Sequence, residues 1–378
     1  MILKNAKIFD SRFHLIQKDI SVEEGKIKEI GDDLQDGQIC SLTGCMIAPG
    51  FVDIHIHGCV GADTGDKKRS SLVAMAKHLQ GLGVTSFCPT TMTTSTQDIS
   101  EEIENVRDCM DHPTEGAAIC GVNMEGPYIS PERCGAQKDI FIRKPDWKEF
   151  EKLYRETGKI IKLVDIAPER EGGKEFIQKV SPYCCVSLAH TNADYEMASW
   201  AFQHGISHVT HLFNAMQGMQ HRAPGAVGAV FDAPNVKAEI ICDGFHIHPA
   251  VLRIAFRILG EDRTIIISDS MRAAGMPDGE SELGGQKVFV KNSRAYLKDG
   301  TIAGSTTNML EEIQNLIQFG VPVRQVIKSA TINPAKEIGL DKTIGSIEEG
   351  KRADFAVLSN HLDLVAVMQA GRMIFNKA

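Results

Sequence analysis

The chain has 378 residues, 43% hydrophobic and 24% charged, with a formal net charge of −8. That composition is ordinary for a globular protein and excludes extended disorder, and the acidic balance argues against nucleic-acid binding, which needs a basic face. No apolar run approaches the ~20 residues of a membrane span, the opening MILKNAKIFD has no apolar signal core, and ten cysteines without a CxxC pair read as reduced thiols, so a cytoplasmic protein with no membrane partner is expected.

Residues 2–9 and 20–30 read as short strands between polar turns, and 346–358 and 364–375 resemble them. The look-alike segments SVEEGK (21–26) and SIEEGK (346–351) are too short for a repeat, but they suggest that both ends use similar hairpins in one small sheet. Between them, apolar runs recur at 51–57, 83–90, 117–125, 162–168, 184–190, 208–213, 239–244 and 264–269. Helical patterns at 70–82, 97–110, 147–157, 194–204 and 249–259 separate several of them. Strands alternating with helices imply βαβ units and a parallel sheet, and about eight units fit a (β/α)₈ barrel. An open doubly wound sheet is the runner-up, though it explains less well why polar residues end almost every run. AGMPDGESELGG (274–285) suggests a mobile loop, 286–303 a hairpin turning at an Asp-Gly pair, and 306–319 and 322–338 closing helices. The expected division is a small β domain from 1–48 and 345–378 around a barrel of 49–344.

His55 and His57, two apart on a strand, point to one face, as two imidazoles sharing a metal require. The bare motif is weak, since chance alone supplies about 0.4 such pairs in a chain with 13 histidines, and His246 with His248 makes a second. Position favours the first pair, which ends the first core strand. Glu125, His190, His211 and Asp269 end other strands, and barrel strand ends converge on one face. Each alone could be a turn or capping residue; together they could hold one or two divalent ions, the imidazole–carboxylate mix suiting zinc or iron(II) rather than calcium. Arg222, in NAMQGMQHRAPG, could clamp a phosphate or be a solvated loop residue. GxSxG and Walker-type loops are absent, and PGAVGAV (224–230) lacks the dinucleotide fingerprint.

PGFVDIHIHG (49–58), MEGPYIS (124–130), AHTNADY (189–195), THLFNAM (210–216), DGFHIHP (243–249) and ISDSM (267–271) together resemble the amidohydrolase superfamily and, within it, the N-acetylglucosamine-6-phosphate deacetylase family. The resemblance spans essentially the whole chain. It implies a metal-bearing barrel with a small β-sandwich from both termini, a homodimer, and a sugar-phosphate substrate. It further implies that Glu125, His190 and His211 bind the catalytic metal, His55 and His57 a second one, and that Asp269 is the acid/base. Zinc or iron(II) would be expected, with manganese, cobalt or nickel as alternatives. Asn214 and Ala215 would contact the sugar phosphate, Arg222 the phosphate and His246 the substrate. Ala136 would give a backbone contact, and Ile302, Ala303 and Gly304 would line the sugar pocket. Gln137 stands where many relatives have a histidine thought to polarise the acetyl carbonyl; its amide donates a hydrogen bond but cannot become cationic. Another acetamido sugar phosphate, such as the galactosamine epimer, a different amidohydrolase reaction, and a non-catalytic barrel scaffold are the competing readings.

Overall fold

The computed structural model describes residues 1–375; positions 376–378, the end of the expected small domain, lie outside the described residues. The terminal segments build two sheets rather than one. Ile2–Lys4, Asp19–Glu23, Lys26–Gly31 and Ile39–Ser41 form the first. Lys7–Phe9, Leu15–Gln17 and Cys45–Pro49 join Phe355–Ser359, Leu364–Gln369 and Arg372–Phe375 in the second. The chain ends meet along one antiparallel seam, with Ile47 opposite Val357. The 20–30 run pairs with the N-terminal strand, and 346–354 forms a turn rather than a strand. The look-alike segments nevertheless touch: Ile27 N–H donates to the Lys351 carbonyl at 2.9 Å, and Gly350 N–H to the Ile27 carbonyl at 2.8 Å. Leu3, Ile8, Ile20, Ile47, Phe355 and Met368 fill the space between the sheets, a core of their own.

The middle of the chain is a parallel barrel. Its strands are β1 (Phe51–Ile56), β2 (Val84–Thr91), β3 (Val122–Tyr128), β4 (Ile161–Ile166), β5 (Cys185–Leu188), β6 (Ile206–Val209), β7 (Lys237–Ile240) and β8 (Thr264–Ile266). A two-residue strand, Ala118–Ile119, also pairs with β2, just before β3. Every residue of β1, β2 and β3 is buried, as expected where helices cover one face and the barrel interior the other. Between the last strand and the first, Asp269 N–H donates to the His55 carbonyl at 2.9 Å and closes the ring at its C-terminal rim. The closed ring excludes the open doubly wound alternative.

Helices α1 (Arg69–Gln80), α2 (Thr96–Asp111), α3 (Trp147–Glu156), α5 (Tyr195–Gln203) and α7 (Pro249–Arg263) fall where the periodicity places them, α7 running past Gly260, whose φ of 70° breaks the helical path. Ser95, Asp146 and Asp194 cap α2, α3 and α5 by accepting backbone N–H groups. Two further helices, α4 (Gly173–Val180) and α6 (Gly225–Asp232), have no counterpart in the expectations. The closing helices are α8 (Met309–Gln318), α9 (Val323–Ala330) and α10 (Ile332–Glu337), the last two separated at Thr331.

The expected mobile loop is not a loop throughout. Gly279–Leu283 pairs antiparallel with Gln286–Val290, which pairs in turn with Ala295–Tyr296. The chain reverses at Gly284-Gly285 and at Asn292-Ser293, all four with positive φ, as two-residue hairpin turns demand. The Asp299-Gly300 pair makes a separate turn, with Leu297 N–H reaching the Thr301 carbonyl. Met271, Leu283, Val288 and Ala303 give this arm a small core.

Candidate metal centre and cavity

Strand geometry places the site. His55 lies within β1 and His57 just beyond it, so both rings project from one side. Glu125 projects from β3; His190, His211 and Asp269 follow β5, β6 and β8 by two or three residues. His190, His211 and Asp269 have φ of 43°, 30° and 46°. Left-handed backbone in residues other than glycine costs on the order of 1–3 kcal/mol and clusters at functional sites.

The six side chains meet. Glu125 Oε1 lies 3.1 Å from both His190 Nε2 and His211 Nε2, and those two nitrogens are 3.1 Å apart. Glu125 Oε2 is 3.3 Å from His57 Nε2, which is 3.4 Å from Asp269 Oδ1. His55 Nε2 is 3.6 Å from Glu125 Oε1 and 3.5 Å from Asp269 Oδ1. All six residues are at most 8% exposed.

This donor set fits a divalent cation. His190 Nδ1 sits 2.8 Å from the Arg133 carbonyl, an acceptor only, so the ring donates there and Nε2 is the nitrogen turned towards Glu125 and His211. His55 Nε2 is buried without a hydrogen-bond partner, although its ring is otherwise tied to Glu239. Two overlapping groups, His55–His57–Glu125 and Glu125–His190–His211, each bring their donor atoms within 4.8 Å of one another. Imidazole nitrogens sharing a carboxylate make the usual zinc-type donor set.

Electrostatics agree. Burial opposes ionisation of Glu125, but hydrogen bonds from His190, His211 and His57 outweigh it and hold the carboxyl well below its usual range. Burial alone would lower His57, yet its bonds to Asp269 and Glu125 push it up to about 10. Asp269 is held low by His55 and His57 against the cost of burial, so it is a carboxylate at neutral pH.

The cluster forms the floor of a cavity of about 350 Å³. Ala136, Gln137, Asn214, Ala215, His246, Ile302 and Gly304 line it. Gln137 spans the wall: its Nε2 donates to Glu125 and its Oε1 accepts the Thr93 N–H at 2.7 Å. His246 is held by Asp243, Nδ1 to Oδ2 at 2.7 Å. Two expected residues are not in the lining. Ala303 is fully buried, pointing into the core of the arm. Arg222 is exposed on a turn closed between Gln220 and Ala223 and does not line its own cavity. The reading of the sequence missed Arg133, which lines the cavity, its carbonyl against His190 and its Nε donating to Asn192 Oδ1 at 3.2 Å; nothing in the turn PERCGA marks it. It also missed Glu239, buried beneath His55.

A closed (β/α)₈ barrel with imidazoles and carboxylates converging at the C-terminal rim defines a class, the metal-dependent barrel hydrolases. The amidohydrolase family signature matches residues 46–374, and the chain belongs to that family. It is 36% identical over 365 residues to the N-acetylglucosamine-6-phosphate deacetylase of Bacillus subtilis (strain 168), covering 94% of this chain and 92% of that one. It is 31% identical to the N-acetylgalactosamine-6-phosphate deacetylase of Escherichia coli O157:H7, covering 87% of each. Among solved structures, a variant of the Mycobacterium smegmatis N-acetyl-D-glucosamine-6-phosphate deacetylase in complex with N-acetyl-D-glucosamine-6-phosphate superposes with a TM-score of 0.94 at 28% identity, covering 100% of this chain and 99% of that one. The Thermotoga maritima N-acetylglucosamine-6-phosphate deacetylase superposes with a TM-score of 0.90 at 32% identity, covering 100% of both chains.

Proposed function

We propose that this chain hydrolyses the acetamide of N-acetyl-D-glucosamine 6-phosphate, giving acetate and D-glucosamine 6-phosphate. The observation that carries the reading is the convergence of Glu125, His190 and His211 within 3.1 Å at the floor of a sugar-sized cavity, with the Asp269 carboxylate beside them. Glu125, His190 and His211 would hold one divalent ion and His55 with His57 a second, zinc or iron(II) first, with manganese, cobalt or nickel suited to the same donors. Such an ion supplies Lewis acidity and brings the pKa of water towards ~7.

The protein's own groups do the rest. Asp269, ionised at neutral pH, takes a proton from the attacking water. It then delivers that proton to the sugar nitrogen as the C–N bond breaks, because an unprotonated amide nitrogen leaves poorly. Gln137 donates its amide N–H towards Glu125 and faces the cavity as a neutral group. Asn214, Ala215, Ala136, His246, Ile302 and Gly304 would position the sugar phosphate.

A cytoplasmic homodimer is part of the proposal. No described helix is long and apolar enough to cross a membrane. Arg222, which does not line its own cavity, would reach a bound phosphate from the neighbouring subunit of such a dimer. We also place the domain limits at 48/49 and 344/345, supported by the separate core between the two sheets.

Acetate release from a panel of N-acetylated hexosamine 6-phosphates, with metal counted on the same sample, tests this reading. The glucosamine epimer should give the highest kcat/KM. Preference for the galactosamine epimer would transfer the assignment to the activity named for the E. coli relative, and no release from any member by metal-loaded protein would refute deacetylation.

A further inference from the structure

Barrel interiors are normally filled by branched apolar side chains. Here a line of charged groups runs from the metal cluster to the opposite end of the barrel. His55 Nδ1 is 2.9 Å from Glu239 Oε2, and Glu239 Oε1 is 3.1 Å from His208 Nε2. His208 Nδ1 is 2.9 Å from Glu337 Oε2, and the other Glu337 oxygen meets Lys237 Nζ. The side chains of His55, Glu239 and His208 have no exposed surface. Lys237, the first residue of β7, reaches solvent at the end away from the rim.

The direction of each hydrogen bond follows. A carboxylate only accepts, so both rings donate to Glu239. His55 therefore keeps a proton on Nδ1, which leaves Nε2 as the nitrogen that faces Glu125 and Asp269. His208 donates at both nitrogens, so its charge offsets the buried Glu239, and Lys237 offsets Glu337. A buried chain of this kind holds only if every member is satisfied.

We infer that Glu239 and His208 are positioning residues that set which nitrogen His55 presents to a metal ion, so that ion affinity at the His55–His57 half of the cluster depends on a side chain in the barrel interior. The inference rests on the metal-dependent reading of the site. Groups beneath a ligating histidine typically change metal affinity 10- to 100-fold.

Zinc titration of metal-free protein against a chromophoric chelator is the test. The wild type should bind two ions. Glu239→Gln offers one acceptor oxygen where two ring N–H groups need one each, and should weaken one step about 10- to 100-fold while leaving the other unchanged. His208→Leu should act in the same way, and His208→Gln, which keeps an N–H for Glu239, should recover most of the affinity. Cys185→Ala, whose Sγ lies 3.7 Å from Glu337 Oε2, should change neither step; loss of an ion in that variant would place the ion at the barrel base and overturn the inference. So would a single binding step in the wild type, or equal weakening of both steps in Glu239→Gln. Should the variants fail to fold, ¹⁵N-histidine spectra of the metal-free wild type decide: the Nε2–H tautomer at His55 refutes the inference. A wild type that binds no zinc refutes the metal-dependent reading itself.

Discussion

Replacing Asp269 with asparagine separates proton transfer from folding. The backbone at this position has φ of 46°, its N–H bonds the His55 carbonyl at 2.9 Å, and its carbonyl accepts the Ser305 N–H at 2.8 Å. Asparagine is among the few residues that tolerate left-handed φ, whereas alanine would add about 1–2 kcal/mol of strain and blur the result. The amide keeps the size of the carboxylate but cannot take a proton from water at neutral pH. General acid–base catalysis is worth roughly 10²–10⁴-fold. Asp269 is assigned both the acceptance and the return of the proton, so the upper half of that range is expected, about 4–5 kcal/mol of barrier at ~1.36 kcal/mol per decade. The substitution also removes a buried negative charge 3.5 Å from His55 and 3.4 Å from His57, so metal must be supplied in excess and counted. Steady-state acetate release per bound ion, with thermal unfolding on the same sample, is the assay. Turnover within about tenfold of wild type in a folded, metal-loaded variant would remove Asp269 from the proton path.

Other outcomes follow from the same geometry. Arg222→Ala should raise KM for the phosphorylated sugar by roughly tenfold to a hundredfold, the loss of a charge-assisted contact of about 1.5–3 kcal/mol, and leave KM for the free sugar nearly unchanged; equal effects on both sugars would contradict a phosphate contact. Gln137→Ala strands the buried Thr93 N–H and should cost about 1–3 kcal/mol in urea unfolding; an unchanged midpoint would mean that water replaces the amide. Chelation should abolish turnover, and restoring an ion at 100 times its Kd should raise unfolding stability by about 2.7 kcal/mol; retained activity after verified metal removal would contradict the assignment. Burial would lower His208, but hydrogen bonds to Glu239 and Glu337 push it up from 6.5 to about 9. Its contribution, on the order of 3 kcal/mol, is whole below pH 6.5 and fades as pH rises through about 9. Unfolding of metal-free wild type should therefore lose more stability over that interval than His208→Gln, and parallel profiles would refute the ion-pair chain.

The barrel was readable because its strands are local. Each is a short apolar run with a polar end, and the alternation with amphipathic helices needs no knowledge of partners. The two missed helices lack that signal for different reasons. In α6, GAVGAVFD, six of the eight residues are buried, so there is no polar face to create a period. In α4 the first residue is a glycine, preceded by Gly172 at φ 87°, and two glycines in sequence read as a loop. The terminal sheets failed differently. Runs of similar composition read as strands, but which strand pairs with which depends on chain paths that short apolar runs do not encode, so the runs alone suggest one shared sheet, whereas the family resemblance implies the two-sheet sandwich that forms.

Convergence at the site follows the same logic one level up. His55, His57, Glu125, His190, His211 and Asp269 could be singled out because each ends a strand, and a barrel maps every strand end to one rim. Loop residues carry no such address, so Arg222 and Arg133 could be placed only by the folded turns around them. Glu239 lies between these cases. It opens the run EIICDG, where a charged residue looks like a solvent-facing flank. Only ring closure shows that this position faces the interior, between His55 and His208. Single glutamate or histidine side chains there would be too costly to bury. Spaced as alternating donors and acceptors along β1, β6 and β7, with Glu337 of α10 at the end, they become tolerable together. A barrel core can therefore be polar where the polar groups come as a connected set, and the same connection ties the stability of the core to the orientation of a metal-facing histidine.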